Sequence, residues 1–247
     1  MAFLFDGPLA RRLRLATLPK PAGVRGPSFR LWLGEGLRVV PPLRRSLPVR
    51  RAEHPHRVIL FPGLAAHPVT MRRLRRALEQ AGHRVDDWGE GWNLGPTADL
   101  LDRQVERLEA LALAEGRPVM LVGWSLGGII ARELAHRAPQ AVAGVITMGT
   151  PFSGDMHANN AWRTYHLLTG HAVDAPPIDA HFTAKPPVPT VALWSPRDGI
   201  VAPRSARGRP DQRDGAIALR CTHFGFSADP RAIAVVLDLL DGTRSWT

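Results

Sequence analysis

The sequence predicts an α/β domain built on a mostly parallel central sheet with helices on both faces. Three observations lead there. Short segments such as Arg57-Val58-Ile59-Leu60-Phe61 and Pro118-Val119-Met120-Leu121-Val122 are almost continuously apolar, as strands buried on both faces are. Amphipathic helical segments alternate with them along the chain. A serine flanked by glycines, Gly123-Trp124-Ser125-Leu126-Gly127, joins one such strand to the next helix.

The elements follow in order. Pro19, Pro21, Pro27, Pro41, Pro42 and Pro48 punctuate the start of the chain, so residues 1–54 are expected to form a basic, Pro-rich extension of extended or irregular course, with a short strand at 29–33. The catalytic domain is expected at 55–247. Strand 57–61 is stopped by Pro62-Gly63, and Met71, Leu74 and Leu78 give helical spacing over 69–81, closed by Gly82. Strand 85–88 comes next, then a long amphipathic helix over 97–114 with Thr97 as N-cap and Gly116 closing it. Strand 118–122, helix 126–137, strands 142–148, 190–194 and 216–221 and a final helix over 230–240 complete the alternation. Residues 152–189 interrupt it. That stretch holds Trp162, Tyr165, Leu167 and Leu168 at near-helical spacing and ends in Lys185-Pro186-Pro187-Val188-Pro189, so a short cap over an active site is expected.

Composition narrows the chemistry. The 247 residues suffice for one large core, and the single cysteine, Cys221, excludes an internal disulfide framework and a thiolate metal cluster. No run of about 18 apolar residues suggests a transmembrane helix. At the start, the apolar residues precede Arg11, Arg12 and Arg14, the reverse of a secretory signal, so a cytoplasmic location is expected. Nearly all of the net charge of +10 lies early: residues 1–51 hold eleven Lys and Arg against Asp6 and Glu35, and the rest holds 21 against 20. Such a segment is either a solvated surface or a contact with anionic membrane. Aromatics are few and no zinc-finger or RNA-recognition pattern is present, so nucleic acid is not expected as a partner.

The serine needs a base, because a hydroxyl is a weak nucleophile at neutral pH until an imidazole takes its proton. Where a G-x-S-x-G serine sits on a strand-to-helix turn, the order along the chain is nucleophile, acid, histidine. His223, after strand 216–221 and before the last helix, fits. His136, His157, His166, His171 and His181 lie in the following helix or the cap, and His54, His56, His67 and His83 precede the serine; of these four only His67 is placed to reach the site. Asp198, in the loop Ser195-Pro196-Arg197-Asp198-Gly199 after strand 190–194, is the candidate acid, with Asp211, Asp214 and Asp229 as rivals. Backbone N–H groups of Leu126, at a helix N-terminus, and Leu64, after the first strand, are candidate donors to a developing oxyanion.

With these residues in place the sequence resembles the α/β-hydrolase superfamily, and within it the lipase- and esterase-like bacterial hydrolases related to the enzyme that deacylates the inositol of glycosylphosphatidylinositol anchors. The resemblance spans about 58–240 and rests on Phe61-Pro62-Gly63, Gly91-Trp92-Asn93-Leu94-Gly95-Pro96, the segment around Ser125, Met148-Gly149-Thr150-Pro151-Phe152, Arg197-Asp198-Gly199-Ile200-Val201 and His223. It departs from many lipases in having Phe61-Pro62-Gly63 where they carry a His-Gly run. The resemblance implies the α/β-hydrolase fold, a Ser125-Asp198-His223 triad, no metal and no organic cofactor. The expected activity is hydrolysis of acyl or lipid-like carboxylic esters, with an acyl pocket formed by Trp124, Phe152, Trp162 and Phe224. An acyltransferase using the same triad and a non-catalytic binding protein on the same scaffold are the alternative readings.

Overall fold

The computed structural model describes residues 7–37 and 48–247. Six strands, β1 Arg57–Phe61, β2 Arg84–Asp87, β3 Val119–Trp124, β4 Val142–Met148, β5 Thr190–Trp194 and β6 Gly215–Ala218, form one sheet in the order β2-β1-β3-β4-β5-β6. Every neighbouring pair is parallel. Parallel pairing requires crossovers, and helices supply them. Among these are α3 Arg72–Gln80, α4 Ala98–Glu115 and α5 Leu126–Arg137, and a further helix, α8 Pro230–Leu240, follows the last strand.

Because side chains alternate along a strand, each strand feeds two cores. Val58 and Leu60 of β1 join Met120 and Val122 of β3 under Leu74 and Leu78 of α3 and Ile233 and Val236 of α8. Ile59 and Phe61 point the other way, with Val119 and Leu121, against Leu101 and Leu108 of α4 and Ile130 and Leu134 of α5. Each such side chain taken out of water contributes roughly 1.5–3 kcal/mol. The sheet is covered on both faces, as the apolar runs predict.

Local signals set the helix ends. Thr97 accepts from the Leu100 N–H at 3.2 Å, and Gly116 ends α4 in the left-handed region at φ 67°. Asp229 caps α8 through the Arg231 N–H at 2.8 Å, with Pro230 at the first helical position.

The start of the chain differs from expectation. In place of an irregular course and a strand at 29–33 it forms two helices, α1 Pro8–Thr17 and α2 Phe29–Leu37. Pro8 opens α1, and Pro19, Pro21 and Pro27 lie in the links outside both helices; the prolines delimit the helices. The irregular course expected around Pro41 and Pro42 falls outside the described residues. Helix α1 and the link after it are stitched to the body. The Arg163 guanidinium donates to the carbonyls of Ala16 and Leu18, each at 3.1 Å, and Arg204 donates to Arg25 O at 2.9 Å.

Residues 152–189 carry one helix, α6 Trp162–Thr169, in otherwise irregular chain, and α1 packs on it. A short helix, α7 Pro203–Arg207, follows β5. Strand β6 ends three residues earlier than its apolar pattern suggests. Leu219 still donates to Trp194 O at 2.7 Å, after which the chain turns away toward His223.

Candidate active site

Ser125 lies between the last residue of β3 and the first of α5, with φ 53° and ψ −122°. A side chain rarely adopts this conformation, which costs on the order of 1–3 kcal/mol and persists only where the surroundings enforce it. Here close packing does so. A Cβ on Gly127 would run into the Phe61 carbonyl, and one on Gly123 into the Gly128 backbone, so glycine at both positions lets α5 descend onto the sheet.

Two later loops bring the acid and the histidine together. His223 Nδ1 is 2.9 Å from Asp198 Oδ2, with both residues buried. The carboxylate can only accept when ionised, so Nδ1 carries the proton and Nε2 is left as the basic nitrogen. The other oxygen, Oδ1, accepts from the N–H groups of Ile200 and Val201, each at 2.8 Å, which fixes the acid's rotamer. Ser195 couples the two loops, its hydroxyl donating to Cys221 O at 2.6 Å and accepting from Arg197 N at 3.0 Å. Among the described residues no hydrogen bond joins Ser125 to His223. The serine's neighbour Trp124 reaches that loop instead, donating to His223 O at 3.0 Å.

The rival acids are engaged elsewhere. Asp211 pairs with Arg209, Asp214 with Lys185 and the Thr190 N–H, and Asp229 caps α8. His67 accepts from Val69 N at 3.3 Å and packs edge-on against Trp92. The thiol of Cys221 is buried, and burial, aided by the carboxylates of Asp229 and Asp198, pushes its ionisation upward, so it offers no competing nucleophile.

Both candidate oxyanion donors lie beside the serine. As the first residue of α5, Leu126 has no intrahelical acceptor for its N–H. The Leu64 N–H meets no acceptor among the described residues. A Cβ on Gly63 would sit 3.2 Å from the Ser125 Cβ, which places the Leu64 loop against the elbow. That loop is tight, with Ala66 N bonded to Gly63 O at 3.1 Å and Ala65 at φ 52°.

Two buried residues that sequence reasoning missed hold these loops. Asn93 donates from Nδ2 to Pro62 O at 2.6 Å, its carbonyl accepts from Ala65 N at 2.8 Å and its N–H donates to Ala66 O at 3.0 Å. Glu35, from α2, accepts from backbone groups of the acid and histidine loops. Asn93 stood inside a quoted motif. Glu35 had only one signal, an acid within the apolar run Phe29-Arg30-Leu31-Trp32-Leu33 and its continuation.

The four aromatic candidates for a pocket are distributed over different clusters. Trp124 and Phe224 meet edge-on with centroids 5.8 Å apart, and Phe224 is exposed. Trp162 packs against His157 and His166, whereas Phe152 is fully buried with the Arg132 guanidinium 4.1 Å above its ring. A separate cavity of about 410 Å³ opens between the N-terminal segment and residues 152–189, lined by Pro21, Met156, His157, Val173 and Phe182 among others. No helix among the described residues is long and apolar enough to cross a membrane. Nor do three or more His, Cys, Asp or Glu residues gather there in a group able to hold a metal ion.

Comparison with known proteins agrees with this architecture. A family model described as alpha/beta hydrolase fold matches residues 56–175. A pimeloyl-[acyl-carrier protein] methyl ester esterase of Sodalis glossinidius (strain morsitans) is 37% identical over 68 residues, 28% of this chain; the match spans only 25% of that curated relative's length. Among solved structures, the mature lipase BlEst2 of Bacillus licheniformis superposes with a TM-score of 0.57 at 18% identity, over 76% of this chain and 95% of its own. MGS-MChE2, an alpha/beta hydrolase enzyme from a lagoon-sediment metagenome of Mar Chica, Morocco, gives 0.55 at 18% identity, over 78% and 93%. At such identities the likeness to solved structures is one of architecture, and the chain has the α/β-hydrolase fold.

Proposed function

We propose that the chain is a serine hydrolase that cleaves carboxylic esters through an acyl-enzyme. The observation that carries this reading is the buried His223–Asp198 pair, 2.9 Å apart, in loops that follow the strands beyond a serine held at φ 53° on its elbow. In the proposed reaction Ser125 Oγ attacks the ester carbonyl carbon while His223 Nε2 takes the hydroxyl proton. Asp198 orients the imidazole through Nδ1–H and stabilises the imidazolium that forms. The N–H groups of Leu126 and Leu64 receive the oxyanion, where one such donor is worth about 10²–10³ in rate. Collapse of the tetrahedral adduct expels the alkoxide, which takes the proton from Nε2. Water, activated by the same histidine, then attacks the acyl-enzyme and frees the acid and Ser125.

The substrate class proposed is an acyl or lipid-like ester. Its support is the esterase relative, the lipase-type neighbour, and the motif likeness to inositol-deacylating hydrolases around Gly91 to Pro96 and Met148 to Phe152. Peripheral contact with anionic membrane belongs to the same proposal. Leu9 and Leu13 of α1 and Phe29, Trp32 and Leu33 of α2 are exposed on a segment rich in Arg.

The test is hydrolysis of a p-nitrophenyl ester series by wild type and Ser125→Ala, with fluorophosphonate labelling located by mass spectrometry. The expected result is label on Ser125 and a loss of kcat of about 10⁴-fold or more in the variant. Added alcohols yielding transesterified product in preference to acid would point to acyl transfer. A wild type that neither turns over nor labels would leave a binding scaffold.

A further inference from the structure

Helix α2 ends against the site that the preceding reading assigns, and we propose that Glu35 of α2 is a positioning residue for the catalytic pair, setting the separation of the Asp198 and His223 loops. This inference rests on that reading for its kinetic consequence but not for its structural one.

Glu35 is only 2% exposed, although it comes from a segment otherwise dominated by arginine. Its Oε1 accepts from Gly199 N at 2.8 Å and from His223 N at 2.7 Å, and Oε2 accepts from Phe224 N at 3.2 Å. One oxygen thus receives the N–H of the residue directly after the acid and that of the histidine itself. The side-chain bond between Asp198 and His223 is therefore spanned by a second link, through backbone, a few bonds from each reacting group. An ionised carboxylate suits this place because it accepts at both oxygens and donates at neither.

The surrounding chain is shaped to admit α2. A Cβ on Gly199 would collide with the Leu31 carbonyl and lie 2.8 Å from Trp32 N, so a glycine in the acid loop lets the helix backbone rest directly on it. Asn160 forms a second latch, donating from Nδ2 to Gly199 O at 2.8 Å and to Pro27 O, just before α2, at 3.3 Å. Ser28 receives Trp32 N at its carbonyl, 3.1 Å, which starts the helix at the turn that carries Glu35 inward.

The experiment compares Glu35→Ala and Glu35→Gln in the full chain by three readouts: ester kinetics, thermal melting, and the low-field proton signal of His223 Nδ1–H in the free protein. Glu35→Ala is expected to lower kcat on the order of 10²-fold with KM within about twofold, since loss of alignment acts on the reaction and not on substrate binding. Its Nδ1–H signal should move upfield or broaden away. Glu35→Gln keeps one acceptor oxygen of the same shape and is expected to restore kcat to within about tenfold of wild type; if the alanine variant does not fold, the glutamine variant carries the test through a shifted signal. A lowered melting temperature with kcat and the proton signal unchanged would make Glu35 a structural residue only and overturn the inference. If wild type shows no esterase activity, the assigned reaction falls, and the proton signal alone still decides whether Glu35 aligns the pair.

Discussion

At the scale of single residues, one side chain titrates where its surroundings forbid charge. His83 is buried just before β2, and its Nδ1 accepts the His56 N–H at 3.0 Å, so that nitrogen cannot be protonated without losing the bond. Burial first, and repulsion from the stacked His56 second, lower its ionisation to about 4; Asp241 opposes them weakly. In the unfolded chain the same group takes up a proton near 6.5. The unfolded state therefore binds more protons between those values. The stabilisation is complete above pH 6.5 and disappears as pH falls toward 4, a loss on the order of 2–3 kcal/mol. Thermal melts are expected to show the wild-type midpoint falling across this interval, and His83→Asn, which keeps an acceptor without a titrating ring, to flatten the fall.

At the scale of elements, the loop after β1 depends on a side chain from the loop after β2. Asn93 covers the Pro62 carbonyl, and Asn93→Ala would leave that buried acceptor unpaired, at a cost of about 1–3 kcal/mol. The Leu64 N–H rides on the same turn. Steady-state kinetics of the variant are expected to show kcat reduced about 10–100-fold with a smaller change in KM, and an unchanged kcat would remove Leu64 from the proposed oxyanion site. The elements themselves were largely legible. Helix α5, strands β4 and β5 and helix α8 coincide with their apolar periodicities, because continuous runs and glycine or proline boundaries are local signals. The helices α1 and α2 are not legible in this way, since proline density suggests irregularity although the prolines lie at or beyond their ends. The pairing of Asp198 with His223 could be anticipated from order along the chain. Glu35 could not: its partners lie 164 and 188 residues away, and nothing local in α2 reports a tertiary contact.

At the scale of the whole molecule, the exposed apolar residues of α1 and α2 share a basic segment that also braces the site. If that surface meets anionic membrane, co-sedimentation with vesicles containing phosphatidylserine should exceed that with neutral vesicles, fall with salt, and weaken in Phe29→Ser/Trp32→Ser. Equal sedimentation of wild type and variant would remove the membrane contact. The long reach of Glu35 has a further consequence, for the order in which the protein is made. On the ribosome α2 emerges well before the loops that follow β5 and β6, whose backbone groups it grips. The sheet can assemble strand by strand while Glu35 of α2 still lacks its partners. Closure of the longest contacts comes last, as their loop entropy requires. A nascent chain thus carries Ser125 well before it carries the loops of Asp198 and His223 that Glu35 grips, and the proposed reaction would have to await them.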